Sequence, residues 1–401
     1  MTETPVLDGL RVVELAAYIA APLCGATLAS MGADVVRVDP PGGGVDLHRW
    51  PLHDGQSLYW VGLNQGKRSV TINSRDPRGR ELILALVADA GTCVTNLPVG
   101  DWLTYDALRT RRRDPVLLRM TGNPDGTPAV DYTVNAAMGF PWVTGPEDET
   151  GPVNHVLPAW DVIASQMATS SIVAAELKRA RSGEGSDIEI SLANVALFVA
   201  SHLGLLSEAE LANEPRGRYG NYLYGSFGRD FRTADARYVI VIALTTRHWR
   251  SLVSAIGAQD AVAAIERAHG IDLTDEVQRW ARRAEIAALV EAWTAARPLA
   301  DVARAFDAAG VLWSPYQTFK QLMQQDARAT TANPIMRRIR QEGVGLVPAA
   351  ASPVLTTGAP PIDPRPAPRV GAHTREILTS WLGVTSAECD RLAAEGVISL
   401  P

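Results

Sequence analysis

One carboxylate stands where it can do chemistry. Asp161 follows Pro158 and Trp160 and heads a long run of small and apolar residues, "NHVLPAWDVIASQMATSSIVAAELKRARSGEG", 154–185. Read alone, an Asp at this point is most simply a helix cap that accepts a backbone N–H. It can equally be a nucleophile at a helix mouth, kept ionised by backbone N–H groups and by a dipole effect of about 0.3–1 kcal/mol, more where partly buried. Local sequence does not say what it would attack.

Other chemistries lack their motifs. The turn after the first apolar strand reads "AAYIAAP", without the G-x-G-x-x-G that lets a backbone approach a pyrophosphate closely. The glycines of "PPGGG" (40–44) follow the second strand instead, which is a weak signal. There is no P-loop, no H-E-x-x-H or paired-His spacing for a metal, and no G-x-S-x-G elbow. Three cysteines, Cys24, Cys93 and Cys389, are far apart and odd in number, a pattern of neither a disulfide framework nor a zinc site and one suited to a reducing cytoplasm. A formal net charge of −6 argues against a general nucleic-acid binder. The basic run "RTRRR" (109–113) reads as the solvated end of a short helix. No charge-free apolar run reaches membrane-spanning length, and the acidic start "MTETPVLDGLRVVEL" does not read as a secretory signal.

The elements that must position Asp161 alternate. "LRVVEL", "ADVVRVDPP", "SVTIN", "TCVTN", "PVLLRMTG" and "SDIEISL" read as strands, with helical patterns between them. Asp76 and Pro77 open one such helix as cap and first residue. Strand–helix alternation with short links predicts an α/β fold with a Rossmann-like parallel sheet covered on both faces. Past residue 228 helical patterns dominate after "ARYVIVIAL". The expected organisation is a large α/β domain over 1–228, a smaller, mainly helical domain over 229–327, and a linker and C-terminal arm over 328–401 that return to the large domain. The proline-rich "SPVLTTGAPPIDPRPAPRVG" reads as the extended returning connection.

Several blocks together resemble the family III CoA-transferases (the CaiB/BaiF group), nearly end to end: "LDGLRVVELAAYIAAPLCGATLASMGADVVRVDPPGGG", "NQGKRSVTIN", "TNLPVG", "LPAWDVIASQMATSSIVAAELKRARSGEGSDIEISL" and "PAPRVGAHTREIL". The resemblance makes Asp161 the nucleophile rather than a cap. It implies that Tyr18, Arg37, Lys67, Arg68 and Asn96 contact coenzyme A, and that Arg49, His155, Asn221 and Tyr222 contact the acyl part. Coenzyme A then enters as part of the substrate, an acyl-CoA thioester of a small dicarboxylic acid, with no permanent cofactor and no metal. An interlocked homodimer in the cytoplasm, binding neither nucleic acid nor membrane, is also implied. Rarer stretches, "RWPLHDGQSLYWVGLNQGKRS", "VNHVLPAWD" and "GNYLYGSFGRDF", are similar to a branch that moves CoA between the two carboxyls of one C-methylated dicarboxylate. The glycines of "GNYLYGSFG" offer backbone N–H groups for a developing oxyanion, and Tyr222 and Tyr224 either line the pocket or pack between domains.

Two departures from the family pattern matter. Where a phosphate-binding Arg is common, this chain has Thr104, which leaves Arg37 and Arg111 as alternative cations. Where related racemases carry "GHD", this chain has "AVD", and Val130 cannot carry a proton. Racemase chemistry is therefore disfavoured. Intermolecular CoA transfer between two acids, and a non-catalytic acyl-CoA binder, stand behind intramolecular transfer. A dehydrogenase is more distant for want of the glycine fingerprint.

Overall fold

Six short segments line up as one parallel sheet: β1 (Arg11–Leu15), β2 (Asp34–Asp39), β3 (Arg68–Thr71), β4 (Thr92–Thr95), β5 (Val116–Thr121) and β6 (Ser186–Ser191). The spatial order is β3-β2-β1-β4-β5-β6, and every neighbouring pair is parallel. Val12, Val36, Val70, Val94 and Leu118 are fully or almost fully buried, as strands covered on both faces require. Edge strand β6 instead alternates. Strand order reverses between β1 and β4, and ligands of such sheets bind in the crevice beyond the carboxyl ends at that reversal.

The computed structural model describes residues 4–358 and 362–401. Residues 1–3, part of the stretch read as no secretory signal, and 359–361, part of the proline-rich connection, lie outside the described residues.

Helices around the sheet include α1 (Ala20–Ser30), α2 (Leu58–Leu63), α3 (Pro77–Ala90), α4 (Asp131–Ala137), α5 (Ala159–Ser182) and α6 (Leu192–His202). Helix α3 starts as read: Asp76 accepts from the Arg78 N–H at 2.8 Å, and Pro77 occupies the first turn. Helix α5 packs on α1, with Thr169 donating to Cys24 Sγ at 3.5 Å and Gln166 to Thr27 Oγ1 at 3.3 Å, and buries Trp160, Ala164, Ala168, Ile172 and Ala175, a stripe spaced by three and four residues. On α1, Ala21, Cys24, Gly25 and Leu28 are buried. Gly25 is needed there, since a Cβ would lie 1.8 Å from Glu14 Oε2.

Two compact units result, the first from residues up to Met138, Val156–Glu208 and Ala327–Pro401, the second from Gly139–His155 and Ala209–Asp326. The sequence reading sets the smaller domain at 229–327. The chain enters the second unit twenty residues sooner, and a detached segment belongs with it. That segment is tied by Arg218, whose guanidinium donates to the carbonyls of Pro141, Trp142, Glu149 and Gly151, a long-range tie with no local signature.

The second unit is mainly helical, as expected, but also holds an antiparallel sheet of Phe227–Arg232, Tyr238–Ala243 and Leu312–Pro315. Its core gathers Phe227, Phe231, Val241, Trp249, Leu252 and Phe306. In the first unit the returning arm forms a hairpin, Met336–Gln341 with Gly345–Ala350, then lies along β3. Gly371 and His373 donate backbone N–H groups to Ser69, and the Ser69 N–H returns a bond to His373 Nδ1 at 3.1 Å. Ile377, Leu378, Cys389 and Leu392 complete the apolar core there.

Candidate active site

Beyond the carboxyl ends of β1, β4 and β5 opens a cavity of about 430 Å³. Tyr18, Arg49, Tyr59, Asn96, Asp131 and Asp161 carry its polar and aromatic lining, with Val130 and Leu192 among the apolar walls. All belong to the first unit.

The loop leaving β1 is held from two sides. Asn96, just past β4, accepts the Ala17 N–H at 3.0 Å and donates to the Ala17 carbonyl at 2.7 Å. Tyr18 follows in the left-handed region at φ 64, a cost of roughly 1–3 kcal/mol for a bulky residue. It donates its N–H to Asp46 Oδ1 at 2.9 Å. Asp46 Oδ2 in turn accepts from Arg37 at 2.8 Å.

This wiring corrects two sequence expectations. Arg37 is buried and spends its guanidinium on Asp39, Asp46, Asn64 and the Ala16 carbonyl. Lys67 is buried too, with Nζ donating to both Glu14 oxygens, the Pro22 carbonyl and Asn64 Oδ1 at 2.8–3.2 Å. Burial pulls the Lys67 ammonium below its ordinary range, opposed by Glu14, and pushes the Glu14 carboxyl up against the pull of Lys67 and Arg37. Neither cation presents itself to a phosphate. Arg37 instead braces the Tyr18 loop through Asp46 and the Ala16 carbonyl, and Lys67 ties Glu14 to Asn64. Arg68 departs from expectation as well: it pairs with Asp34 and Glu376 at the amino end of the sheet, opposite the cavity.

Arg49 does reach the cavity. Its guanidinium lies over the rings of Tyr18 and Tyr59, 4.9 Å from each centroid. No carboxylate of the described residues forms an ion pair with it, so its hydrogen-bonding fork is available. The Tyr59 hydroxyl is buried without a hydrogen-bond partner; burial pushes it well above the usual phenol range, with Arg49 pulling the other way.

Asp161 is not the cap of its helix. The cap position is Pro158, with no side-chain bond, and Asp161 is the third helical residue. The cap comes from thirty residues upstream. Asp131 Oδ2 accepts the N–H groups of Trp160 at 2.7 Å and Asp161 at 3.2 Å. The Asp161 carboxyl therefore faces the cavity. Burial, then the neighbouring Asp131 charge, push it up to about 6, and Arg49 pulls it back. The helix mouth does not hold this carboxylate low, as its position suggested, because Asp131 already takes the N–H groups of Trp160 and Asp161.

Thr104 caps the helix Tyr105–Arg109, accepting from Ala107 at 3.1 Å, and Arg111 pairs with Glu81 on the surface at 2.6 Å. The basic run thus sits at a helix end, as read. A second cavity of the first unit, about 720 Å³, is lined by Leu15, Leu97, Trp102 and two cations, Arg75 and Arg80. His155, Asn221 and Tyr222 belong to the second unit. There Asn221 is exposed, and the Tyr222 hydroxyl accepts from Arg229 at 3.3 Å. The Gly220 N–H is spent on the Gly145 carbonyl at 3.0 Å. Tyr224 lies under Arg216 at 4.1 Å. Sequence reasoning missed Tyr59 and Asp131 as site residues. Asp131 stood in the triplet examined for Val130, and its capping role had no local signal.

Among the described residues no group of three or more His, Cys, Asp or Glu side chains is placed to hold a metal ion. What the cavity offers is an unshielded carboxylate opposite a free guanidinium, at the switch point of a doubly wound sheet. This is the site of an acyl-transfer enzyme of one family: the chain belongs to CoA-transferase family III, whose model matches residues 7–374. It is 45% identical to 2-methylfumaryl-CoA isomerase of Chloroflexus aurantiacus, over 99% of this chain and 98% of that protein. Succinyl-CoA--D-citramalate CoA-transferase of the same organism is 29% identical over 98% of each. A CAIB/BAIF family protein from Brucella suis has a solved structure that superposes with a TM-score of 0.78 at 25% identity, over 94% of this chain and 100% of that one.

Proposed function

We propose that this enzyme moves coenzyme A between the two carboxyl groups of mesaconyl-CoA (2-methylfumaryl-CoA), an intramolecular transfer. The observation that carries the reading is the presence in one small cavity of Asp161 and of an unpaired Arg49. The first suits attack on a thioester; the second suits a bidentate grip on the carboxylate at the other end of the same acid. Likeness to the Chloroflexus isomerase supports the choice of acid.

Asp161 attacks the thioester carbonyl, the C–S bond breaks, and CoA leaves as thiolate from a mixed anhydride. The thiolate then attacks the aspartyl carbonyl. That breaks the anhydride C–O bond, leaving an aspartyl-CoA thioester and the free dicarboxylate. After the acid turns, its other carboxylate attacks this thioester, and CoA returns at the new end by the reverse exchange. Every step is acyl exchange between oxygen and sulfur. Arg49, between two tyrosine rings, holds the waiting acid. Arg75 and Arg80, in the second cavity, take the nucleotide phosphates in place of the Arg absent at position 104. We place the enzyme in the cytoplasm, consistent with three buried free cysteines; no single helix among the described residues is long and apolar enough to cross a membrane. A homodimer is supported by the exposed apolar side chains of α5 and α6, Val173, Leu177, Leu197 and Phe198.

The test is isotopic. Holding the acid gives the second attack a high effective concentration that dissolved acid cannot match. Isomerisation should proceed without added acceptor, and labelled free mesaconate should scarcely enter the ester while the regioisomers equilibrate. Label entering as fast as isomerisation, or a requirement for a second acid, would make the enzyme an intermolecular transferase.

A further inference from the structure

Resting on the reading of Asp161 as nucleophile, we infer that Asp131 is a positioning residue that drives acylation: it fixes the start of α5 and holds a like charge beside Asp161 that acylation relieves.

The geometry is specific. Asp131, the first residue of α4, is 2% exposed. One carboxyl oxygen takes the N–H groups of the second and third residues of α5; the other, Oδ1, is buried with no hydrogen-bond partner. A buried carboxylate oxygen left unsatisfied is costly, so its retention beside a second carboxylate calls for a compensating use. Other groups facing Asp161 are few. Arg49 comes from the turn after Val45–His48, Tyr18 from the loop after β1, Tyr59 from α2 and Tyr132 from α4; α6 contributes apolar Leu192. Arg49 is the sole cation among these, and in the proposed reaction the substrate's free carboxylate neutralises it. The repulsion between the two aspartates is then least compensated when substrate is bound.

The chemistry converts that repulsion into driving force. Attack turns the Asp161 carboxylate into a neutral acyl group while the negative charge leaves with sulfur. The charge next to Asp131 disappears at this step and stays absent in both the anhydride and the aspartyl-CoA thioester. Asp131 thus raises the free nucleophile relative to the covalent states, as paired carboxylates do when one must give up its charge. By taking the helix N–H groups it also prevents them from quenching Asp161.

Asp131→Asn separates charge from cap, since the amide oxygen can still accept both N–H groups. The acid limb of kcat/KM should move to lower pH by on the order of one unit. Turnover on the alkaline plateau should fall roughly threefold, as for a nucleophile whose reactivity follows basicity with a slope near one half. The hydroxylamine-trapped share of Asp161 at steady state should fall with it. An acid limb that stays in place in a folded Asn variant overturns the proposal, whatever the loss of turnover, because a purely structural cap would slow the enzyme without moving its pH profile. Where the variant does not fold, carbon-13 NMR of aspartate carboxyls in the unsubstituted enzyme decides: acylating Asp161 with mesaconyl-CoA should shift the Asp131 signal, and an unmoved signal overturns the proposal. Failure of the nucleophile reading itself has a different signature, no trapped Asp161 even in the unsubstituted enzyme.

Discussion

The guanidinium of Arg49 lies 4.9 Å from the ring centroid of Tyr59, and that ring's hydroxyl is buried with no partner. In the proposed reaction the Arg49 guanidinium holds the substrate's second carboxylate. Arg49→Gln should lower kcat/KM for isomerisation by roughly 10–150-fold, the value of a hydrogen bond to a charged group. Arg49→Lys should recover only part, since an ammonium cannot make the planar fork. Acylation of Asp161 by a monocarboxylic acyl-CoA, followed in a single turnover, should be far less affected, because that substrate lacks the carboxylate Arg49 would hold. Equal losses with both substrates would move Arg49 from the acid to the thioester.

Asp161→Ala should lose at least about 1000-fold in turnover, since the covalent route is removed rather than weakened. Hydroxylamine or borohydride added during turnover should modify Asp161 in the intact enzyme, read by peptide mass spectrometry. Near-normal turnover in the Ala variant would remove the nucleophile from Asp161.

How much of this was visible in the residues alone depends on the range of the interaction. The strands of the parallel sheet and the start of α3 follow from local apolar runs and from Asp76-Pro77, and they were legible. The segment around Asp161 was legible too. Its cap was not: Asp131 is thirty residues away, and no pattern links a carboxylate on one short helix to the free N–H groups of another. Arg37 and Lys67 were misjudged for a related reason. Arg37 stands in an apolar strand and Lys67 at the end of a turn, and neither setting tells which carboxylates the cation meets. Glu14, Asp39 and Asp46 become partners only when β1, β2 and the following turn meet. Likewise the detached segment Gly139–His155 joins the second unit through long-range ties, chiefly from Arg218 and the Gly220 N–H, rather than at any boundary in composition.

The acid limb of the pH profile should report Asp161. Its carboxyl is pushed up to about 6, and only the ionised form attacks. Activity should therefore fall as pH drops through about 6, tenfold per unit well below it, and level off above about pH 7. Arg49 lowers this carboxyl, so Arg49→Gln should move the limb upward. A limb near pH 4, or one that Arg49→Gln leaves in place, would mean that a different group controls the profile.

Lys67 gives the sharpest contrast between a binding role and a structural one. If it held a CoA phosphate, Lys67→Met would raise the KM for every acyl-CoA and leave the fold intact. Its ammonium is instead buried between both oxygens of Glu14, the Pro22 carbonyl and Asn64. Removing one partner of a buried pair leaves the other charge uncompensated, typically at about 3–5 kcal/mol. Arg37 remains 3.7 Å from Glu14, which places the expected loss toward the lower end of that range. Denaturant unfolding should show this loss. The folded fraction should keep a near-normal KM for acyl-CoA. Glu14→Gln combined with Lys67→Met removes both charges and should recover part of the stability, a coupling that a double-mutant cycle reads directly. A stable Lys67→Met variant with a raised KM would return Lys67 to the coenzyme, and the buried network around Glu14 would then need another keystone.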